Sequence, residues 1–132
     1  MNRIDGKVAV ITGGTQGLGA AIANLFAEAG ALGIVIVGRD QKKGETVASE
    51  ISKTYGIQAK MITADLEKIE DVQRMIGETA NIFGRVDILV NSAGLTDRGN
   101  ILDTNPDLFN RMIAVNTRAP FFLIQDLSLI HI

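Results

Sequence analysis

Four glycines, at positions 13, 14, 17 and 19, cluster in the stretch VITGGTQGLGAA, where an apolar run gives way to a helix-like run. Because glycine has no Cβ atom, the backbone there can turn tightly and approach a ligand closely. Free N–H groups and the dipole at a helix start favour an anion. The stretch predicts a pyrophosphate-binding turn. Its G-x-x-x-G-x-G spacing differs from the common G-x-G-x-x-G fingerprint, so a tight strand–helix turn without a ligand remains an alternative.

The end of a second apolar run, VIVGRD at 35–40, carries residues that discriminate between nucleotide cofactors. A carboxylate at this place bonds a ribose 2′-hydroxyl, whereas an arginine accommodates a 2′-phosphate. Gly38 and Arg39 stand there, and a planar guanidinium suits a phosphate. The sequence therefore favours NADP over NAD. Asp40 would oppose a phosphate if it turned inward, but its preferred role is the N-cap of the next helix.

The elements that position these residues follow from short apolar runs alternating with stretches of 3.6-residue periodicity. Strands are predicted at 8–11, 34–37 and 88–90, with a weaker one near 58–63. The runs are continuously apolar, as in parallel strands that helices cover on both faces. Right-handed crossovers favour the strand order 3-2-1-4. The predicted fold is α/β: a Rossmann-type doubly wound parallel sheet in three α/β/α layers.

Helices are predicted between these strands from their apolar stripes. The first helix ends at Gly30, a second covers 41–55, and a third follows the stripe from Ile69 to Phe83. A last helix begins near Asn105-Pro106, since proline loses no hydrogen bond at the first helical position. The stripe of the first helix consists of Leu18, Ile22, Leu25, Phe26 and Ala29.

Length and composition narrow the class of function. The chain has 132 residues, 46% of them hydrophobic, which suits one globular domain. A net charge of −2 with both signs dispersed gives no basic stripe for nucleic acid and no polybasic membrane anchor. The absence of cysteine removes disulfides and thiolate metal sites, and no metal is expected. No apolar run is long enough for a signal peptide or a membrane span, so we expect a cytoplasmic protein that acts on a small molecule.

Four motifs occur in order: TGGTQGLG at 12–19, AD at 64–65, NSAG at 91–94 and VN at 115–116. In this combination the chain resembles the short-chain dehydrogenase/reductase family from residue 1 to about 126. The resemblance implies an NAD(P)-dependent oxidoreductase that transfers a hydride between nicotinamide and an alcohol or ketone carbon. The cofactor-binding residues that it implies are Thr12, Gly13, Thr15, Gln16, Gly17, Leu18, Gly19, Arg39, Asp65, Leu66, Asn91, Ala93 and Gly94.

Three positions qualify this resemblance. Gln16 stands where many NADP-dependent relatives carry a basic residue, and Ser92 replaces the second asparagine of the usual NNAG. Serine offers a shorter hydroxyl in place of an amide, so a neighbouring backbone group needs another partner. Asp65, which the resemblance assigns to the adenine, has an alternative role as N-cap of the helix that starts near Lys68.

Asn116 is the residue to which the resemblance assigns a catalytic role. Pro120 lacks the N–H that would bond the Asn116 carbonyl four residues earlier. A buried free carbonyl needs a partner, such as a water. In the family, the matching carbonyl holds a water in a proton relay to a catalytic lysine. The alternative is a kink that only improves helix packing.

The family's catalytic Ser and Tyr-x-x-x-Lys follow that helix, yet the residues after Asn116 contain neither Tyr nor Lys. The sole tyrosine, Tyr55, precedes a lysine at the wrong spacing. The final LSLIHI can be encoded by the end of a common sequencing-library adapter. We therefore expect residues 127–132 to be a non-native tail, and 1–126 to be an NAD(P)-binding Rossmann domain truncated before Tyr-x-x-x-Lys. The chain alone is expected to be inactive and poorly soluble, and the full-length protein to be a homo-oligomer.

A second class of function fits the same residues: a non-catalytic nucleotide-binding module that senses NADP(H) or recruits a partner. The loop LTDRGN at 95–100 follows the fourth predicted strand and so borders the expected ligand crevice. Thr96, Asp97 and Arg98 are placed to face a substrate there, although a solvated loop is the preferred interpretation.

Overall fold

A parallel sheet organises the chain in the computed structural model, which describes residues 3–132. Its strands are β1 (Val8–Thr12), β2 (Gly33–Gly38), β3 (Gln58–Thr63) and β4 (Ile88–Asn91). All pairs are parallel and the order is β3-β2-β1-β4, which confirms the predicted 3-2-1-4. The register sets Thr12 beside both Val37 and Asn91, so the carboxyl ends of neighbouring strands meet at one edge.

Helices follow the strands in turn: α1 (Gly17–Glu28), α2 (Gln41–Tyr55), α3 (Ile69–Phe83) and α4 (Pro106–Ile113), then a π-helical segment (Ala114–Arg118) and α5 (Ala119–Ile130). The predicted starts and ends have visible causes. Asn105 caps α4 by accepting a hydrogen bond from the Leu108 N–H at 2.9 Å. Gly30 and Gly84, with φ of 93° and 75°, follow the last turns of α1 and α3 in the left-handed conformation that ends helices.

The central strands β1 and β2 are buried on both faces of the sheet, and each face has its own hydrophobic cluster. On one face, Ile11, Ile34 and Ile36 pack against α1 and α2. On the other face, Val10 and Val35 pack against α3 and α5. This two-sided burial explains why β1 and β2 read as continuous apolar runs, and the helices on both faces confirm the three-layer α/β/α architecture.

The buried face of α1 differs from its predicted apolar stripe. Gly19, Ala23 and Ala27 are its buried residues, one turn apart, whereas Leu18 is 71% and Leu25 is 58% exposed. Small side chains allow the helix axis to lie close to the sheet, and larger ones at these positions would push it away. The predicted stripe was wrong for Leu18 and Leu25. The pattern favoured these large apolar residues over the small ones that the helix buries, because glycine and alanine carry a weak hydrophobic signal.

Pro120 produces a π-helical turn in one continuous helix. The Ala119 N–H donates to the Ala114 carbonyl, five residues earlier. Such a turn accommodates the disturbance in hydrogen bonding that a proline causes, and π-turns inside α-helices are frequent at functional sites. The helix then continues to Ile130, past the position near 126 where the resemblance was expected to stop.

At the amino ends of the strands, one carboxylate joins the starts of β1 and β4. Asp87 Oδ2 accepts a hydrogen bond from the Val8 N–H at 2.8 Å. Arg85 donates to both oxygens of the same carboxylate, at 2.8 and 2.7 Å. The hydrogen bond from Arg85 holds the pKa of Asp87 below its ordinary value. Ionised Asp87 therefore stabilises the junction of the two strands.

We expect Asp87→Asn to change how stability depends on pH. Because folding lowers the pKa of Asp87, its ionised form stabilises the native state above about pH 4, and this contribution is lost as the pH falls. The variant should lose about 1–2 kcal/mol of unfolding free energy at pH 7, because the buried Val8 N–H loses its charged acceptor. The loss should be smaller at pH 3, where less of the wild-type carboxylate is ionised. Urea denaturation at both pH values measures this. Glu50→Gln, an exposed site on α2, is the control, and equal losses at both pH values would contradict the role of the charge.

Candidate functional site

A cleft of about 420 Å³ opens where the carboxyl ends of the strands meet. This is the edge at which open α/β sheets bind ligands. Five segments enclose it: the glycine-rich turn, the end of β2, the loop after β3, the loop after β4 and the last helix. The predicted residues that line it are Gly13, Thr15, Gln16, Gly17, Leu18, Gly19, Arg39, Asp65, Leu66, Ala93 and Gly94.

The glycine-rich turn forms the floor of the cleft. A Cβ atom on Gly19 would lie 2.2 Å from the Gly13 carbonyl oxygen, so no side chain fits where α1 meets the turn. Gly17 has φ of +55°, and a Cβ atom there would have no protein atom within 4 Å. Gln16 is the N-cap of α1 but makes no side-chain cap hydrogen bond. The first N–H groups of α1 are therefore not occupied by the cap, which suits an anion.

Thr12 and Asn91 end adjacent strands and do not line the cleft. Thr12 is buried, and its hydroxyl accepts from the Ala93 N–H at 3.2 Å and donates to the Val90 carbonyl at 3.4 Å. It thereby holds the start of the loop after β4 against the end of β1. Asn91 is the exposed last residue of β4. Each of the two is followed directly in the chain by a residue that lines the cleft, Gly13 and Ser92.

The residue after β2 and the first turn of α2 each bring a cation toward the turn. Arg39 lines the cleft, and Asp40 caps α2 by accepting from the Lys43 N–H at 3.0 Å, as predicted. The carboxylate of Asp40 is thus directed at its own helix. The ammonium of Lys43 donates to Gln16 Oε1 at 3.0 Å, a contact that sequence reasoning missed.

The loop after β3 is built by polar contacts around Asp65. Its Oδ1 accepts from the Glu67 N–H at 3.0 Å, and its own N–H donates to Asp71 Oδ2 at 2.7 Å. The N-cap of α3 is Lys68, so the alternative role of Asp65 as that cap is wrong. Because Asp71 fixes the backbone of Asp65, the carboxylate and the following Leu66 stand at the wall of the cleft.

Two arginines tie the last helix to this loop. The guanidinium of Arg111 donates to the Glu67 carboxylate, and Glu67 raises the pKa of Arg111. Arg118 donates to the Glu67 carbonyl at 2.6 Å. Glu67, Arg111 and Val115 line the cleft although none was predicted to. They line the cleft only because the loop after β3 and the last helix meet, which no local sequence pattern reveals.

Asn116 lies beside the cleft and acts there through its side chain. Its Nδ2 donates to the Leu95 carbonyl at 2.7 Å, and its Oδ1 accepts from the Leu95 N–H at 2.8 Å. The side-chain amide of Asn116 thus pairs with both backbone polar groups of Leu95, which lines the cleft. Thr96, Asp97 and Arg98, further along this loop, are exposed and do not line it, as expected of a solvated loop.

Some kinds of site find no support in residues 3–132. No group of three or more His, Cys, Asp or Glu side chains converges there as metal ligands would. Within the same residues, no helix combines the length and the apolar character that crossing a bilayer requires.

Known proteins resemble the chain over almost its whole length. A family model described as short chain dehydrogenase matches residues 7–129. Versicolorin reductase 1 of Aspergillus parasiticus is 38% identical over 125 residues, which are 95% of this chain and 47% of that protein. The chain spans about half the length of the curated relatives it matches.

Solved structures show the same fold. L-sorbose reductase from Gluconobacter frateurii, complexed with NADPH and L-sorbose, superposes with a TM-score of 0.91 at 31% identity, covering 96% of this chain and 48% of that one. A metagenomic short-chain oxidoreductase in complex with NADP gives a TM-score of 0.88 at 33% identity, covering 96% and 57%.

We expect Asn116→Ala to loosen the loop after β4. Losing both hydrogen bonds should lower the free energy of unfolding by about 1–3 kcal/mol, as for two ordinary hydrogen bonds. Amide exchange at Leu95 should quicken more than exchange in β1, because the loop opens locally. Hydrogen exchange with urea denaturation measures both effects. Asn110→Ala, at an exposed site on the same helix, is the control, and unchanged Leu95 exchange in Asn116→Ala would disprove the anchoring role.

Proposed function

The chain belongs to the short-chain dehydrogenase family, and on that premise we propose that it forms the dinucleotide-binding part of an NADP-dependent oxidoreductase. The longer protein would transfer a hydride between the nicotinamide and an alcohol or ketone carbon of a small molecule. The observation that carries the proposal is the cleft itself, where a glycine-rich helix start and an arginine face the same space. A non-catalytic nucleotide-binding module would use the same cleft, and the family match favours the enzyme.

The glycine-rich turn would hold the pyrophosphate. Gly17 leaves open space above the start of α1, and the uncapped N–H groups there can donate to phosphate oxygens. The dipole of α1 adds a partial positive charge at the same point, and no acidic side chain in its first turn opposes an anion. These features favour a ligand at the turn over a turn that serves packing alone.

Arg39 would bind the 2′-phosphate of the adenosine ribose. It lines the cleft, while the neighbouring Asp40 carboxylate is engaged in capping α2. A free guanidinium without a competing carboxylate favours a phosphate over a ribose hydroxyl. The NADP and NADPH in the two similar structures support this cofactor choice.

The remaining predicted residues divide between the two ends of the dinucleotide. Asp65 and Leu66 form a wall that would contact the adenine, while Ala93 and Gly94 would border the adjoining ribose. Leu18 lies at the far end of the turn and would face the nicotinamide half. When bound, the nicotinamide supplies or accepts the hydride.

Proton transfer would need an acid–base group that the residues lining the cleft do not supply. Hydride transfer at an alcohol carbon is accompanied by proton movement at its oxygen, which an acid–base group must assist. The only tyrosine, Tyr55, ends α2 and does not line the cleft. Asn116 would contribute by holding a water and by fixing Leu95. We therefore propose that turnover is a property of the longer protein and that the 132-residue chain alone has none.

Self-association of the longer protein is also proposed. Phe109, Ile113, Phe121 and Ile124 expose large apolar side chains along α4 and α5. Apolar surface of this extent is usually covered by another element or another subunit. The helical face supports a homo-oligomer in which it is buried.

Arg39→Ala tests the choice of cofactor. Removing a charge-assisted contact should weaken NADP+ binding by about 1.5–3 kcal/mol while NAD+ binding stays unchanged. Titration of the purified chain with each cofactor, followed by calorimetry, measures both affinities. Arg98→Ala removes an exposed arginine outside the cleft and serves as the control. Equal weakening for the two cofactors would remove Arg39 from the 2′-phosphate site.

Gly17→Val tests the phosphate turn, and the chain offers a matched control. Gly17 and Gly56 have φ of +55° and +67°, and a Cβ atom on either meets nothing within 4 Å. Valine should therefore strain both backbones similarly, by about 1–3 kcal/mol. Only Gly17→Val also fills the space proposed for the pyrophosphate, so it alone should abolish NADP+ binding in calorimetric titration of folded protein. Undiminished binding in this variant would refute the phosphate turn.

A further inference from the structure

One side-chain hydrogen bond connects helix α2 to the glycine-rich turn that lines the cleft. Lys43 Nζ donates to Gln16 Oε1 at 3.0 Å, although the residues are 27 positions apart in the chain. Gln16 lines the cleft at the tip of the turn. The ammonium of Lys43 is therefore bonded to the rim of the cleft that Gln16 and Arg39 line, although Lys43 itself belongs to α2.

A second hydrogen bond positions the backbone of Lys43. Its N–H donates to Asp40 Oδ1 at 3.0 Å, which places Lys43 in the first turn of α2. The Asp40 carboxylate is thus used on the backbone of Lys43, and it forms no ion pair with the ammonium. Because Asp40 caps α2 through the Lys43 N–H, the positive charge of the Lys43 side chain stays available for an anion.

Neither cation at this rim is neutralised. Within residues 3–132, the ion pairs involve other arginines, and neither Arg39 nor Lys43 takes part in one. An amide oxygen can hold an ammonium in position without cancelling its charge, whereas a carboxylate would cancel it. A bond between an exposed ammonium and a neutral amide is weak, and it is readily exchanged for a stronger bond to a phosphate.

We propose that Lys43 is a specificity residue that completes, with Arg39, a two-cation site for the 2′-phosphate of NADP(H). This inference rests on the proposed function. A phosphate monoester carries nearly two negative charges at neutral pH, which two cations match better than one. Gln16 supplies no charge of its own, but it holds the charge of Lys43 at the tip of the turn. The ribose hydroxyl of NAD(H) would gain nothing from a second cation.

The test compares the affinities of four forms of the full 132-residue chain for NADP+ and NAD+. They are the wild type, Lys43→Gln, Lys43→Arg and Lys42→Gln, the last at a neighbouring exposed lysine with no contact to the turn. Lys43→Gln should weaken NADP+ binding by about three- to tenfold and leave NAD+ binding unchanged. Lys43→Arg should keep the preference for NADP+, and Lys42→Gln should behave as the wild type. Added salt should narrow the gap between wild type and Lys43→Gln, because screening weakens an exposed charge.

The outcomes separate this inference from the function on which it rests. A wild-type chain that is folded by circular dichroism and binds neither cofactor contradicts the proposed function and Lys43's role together. A wild-type chain that prefers NADP+, with the same preference in Lys43→Gln, contradicts the role of Lys43 alone. Equal weakening of both cofactors in Lys43→Gln also overturns it, since Lys43 would then act by steadying the turn through Gln16. Surface substitutions of this kind leave the fold intact, which a urea midpoint confirms.

Discussion

The close approach of α1 to the glycine-rich turn is the constraint on which the cleft depends. An added Cβ atom on Gly19 would sit 2.2 Å from the Gly13 carbonyl, so the helix can start there only without a side chain. That start directs the first N–H groups of α1 into the cleft. The small buried residues Ala23 and Ala27 extend the same close packing along the helix. A bulkier face on α1 would displace the helix start from the strand end and remove the floor of the site.

Polar contacts hold the loops around this floor, because loops at a strand edge have little apolar surface to bury. Thr12 fixes the loop after β4 from one side, and Asn116 fixes it from the other. Glu67 connects the loop after β3 to the last helix through Arg111 and Arg118. Each wall of the cleft therefore depends on a side chain from a different element. The site is shaped by the relative placement of the sheet, α1 and the last helix.

The fold could be predicted from the sequence because its signals are local. Continuous apolar runs marked the strands, and Gly30, Gly84 and Asn105 marked helix ends that the structure reproduces. The contacts that complete the site could not be predicted in this way. The pairs Gln16–Lys43 and Leu95–Asn116 join residues that are 27 and 21 positions apart, and their side-chain types carry no spacing pattern. The buried face of α1 was misjudged because alanine and glycine weigh little in a hydrophobic pattern, although packing favours them there.

The two faces of the sheet are packed by residues from different parts of the chain. The buried residues of the α1–α2 face run from Ile11 to Ala59, whereas the opposite face needs residues as late as Leu123. Contacts over short sequence separation form faster, and the amino-terminal part of a chain is the first to emerge during synthesis. The first face can therefore close during translation while the second still waits for its helices. Until α3 and α5 arrive, Val10 and Val35 are exposed on a half-covered sheet, and that interval is when a chaperone would have the most to bind.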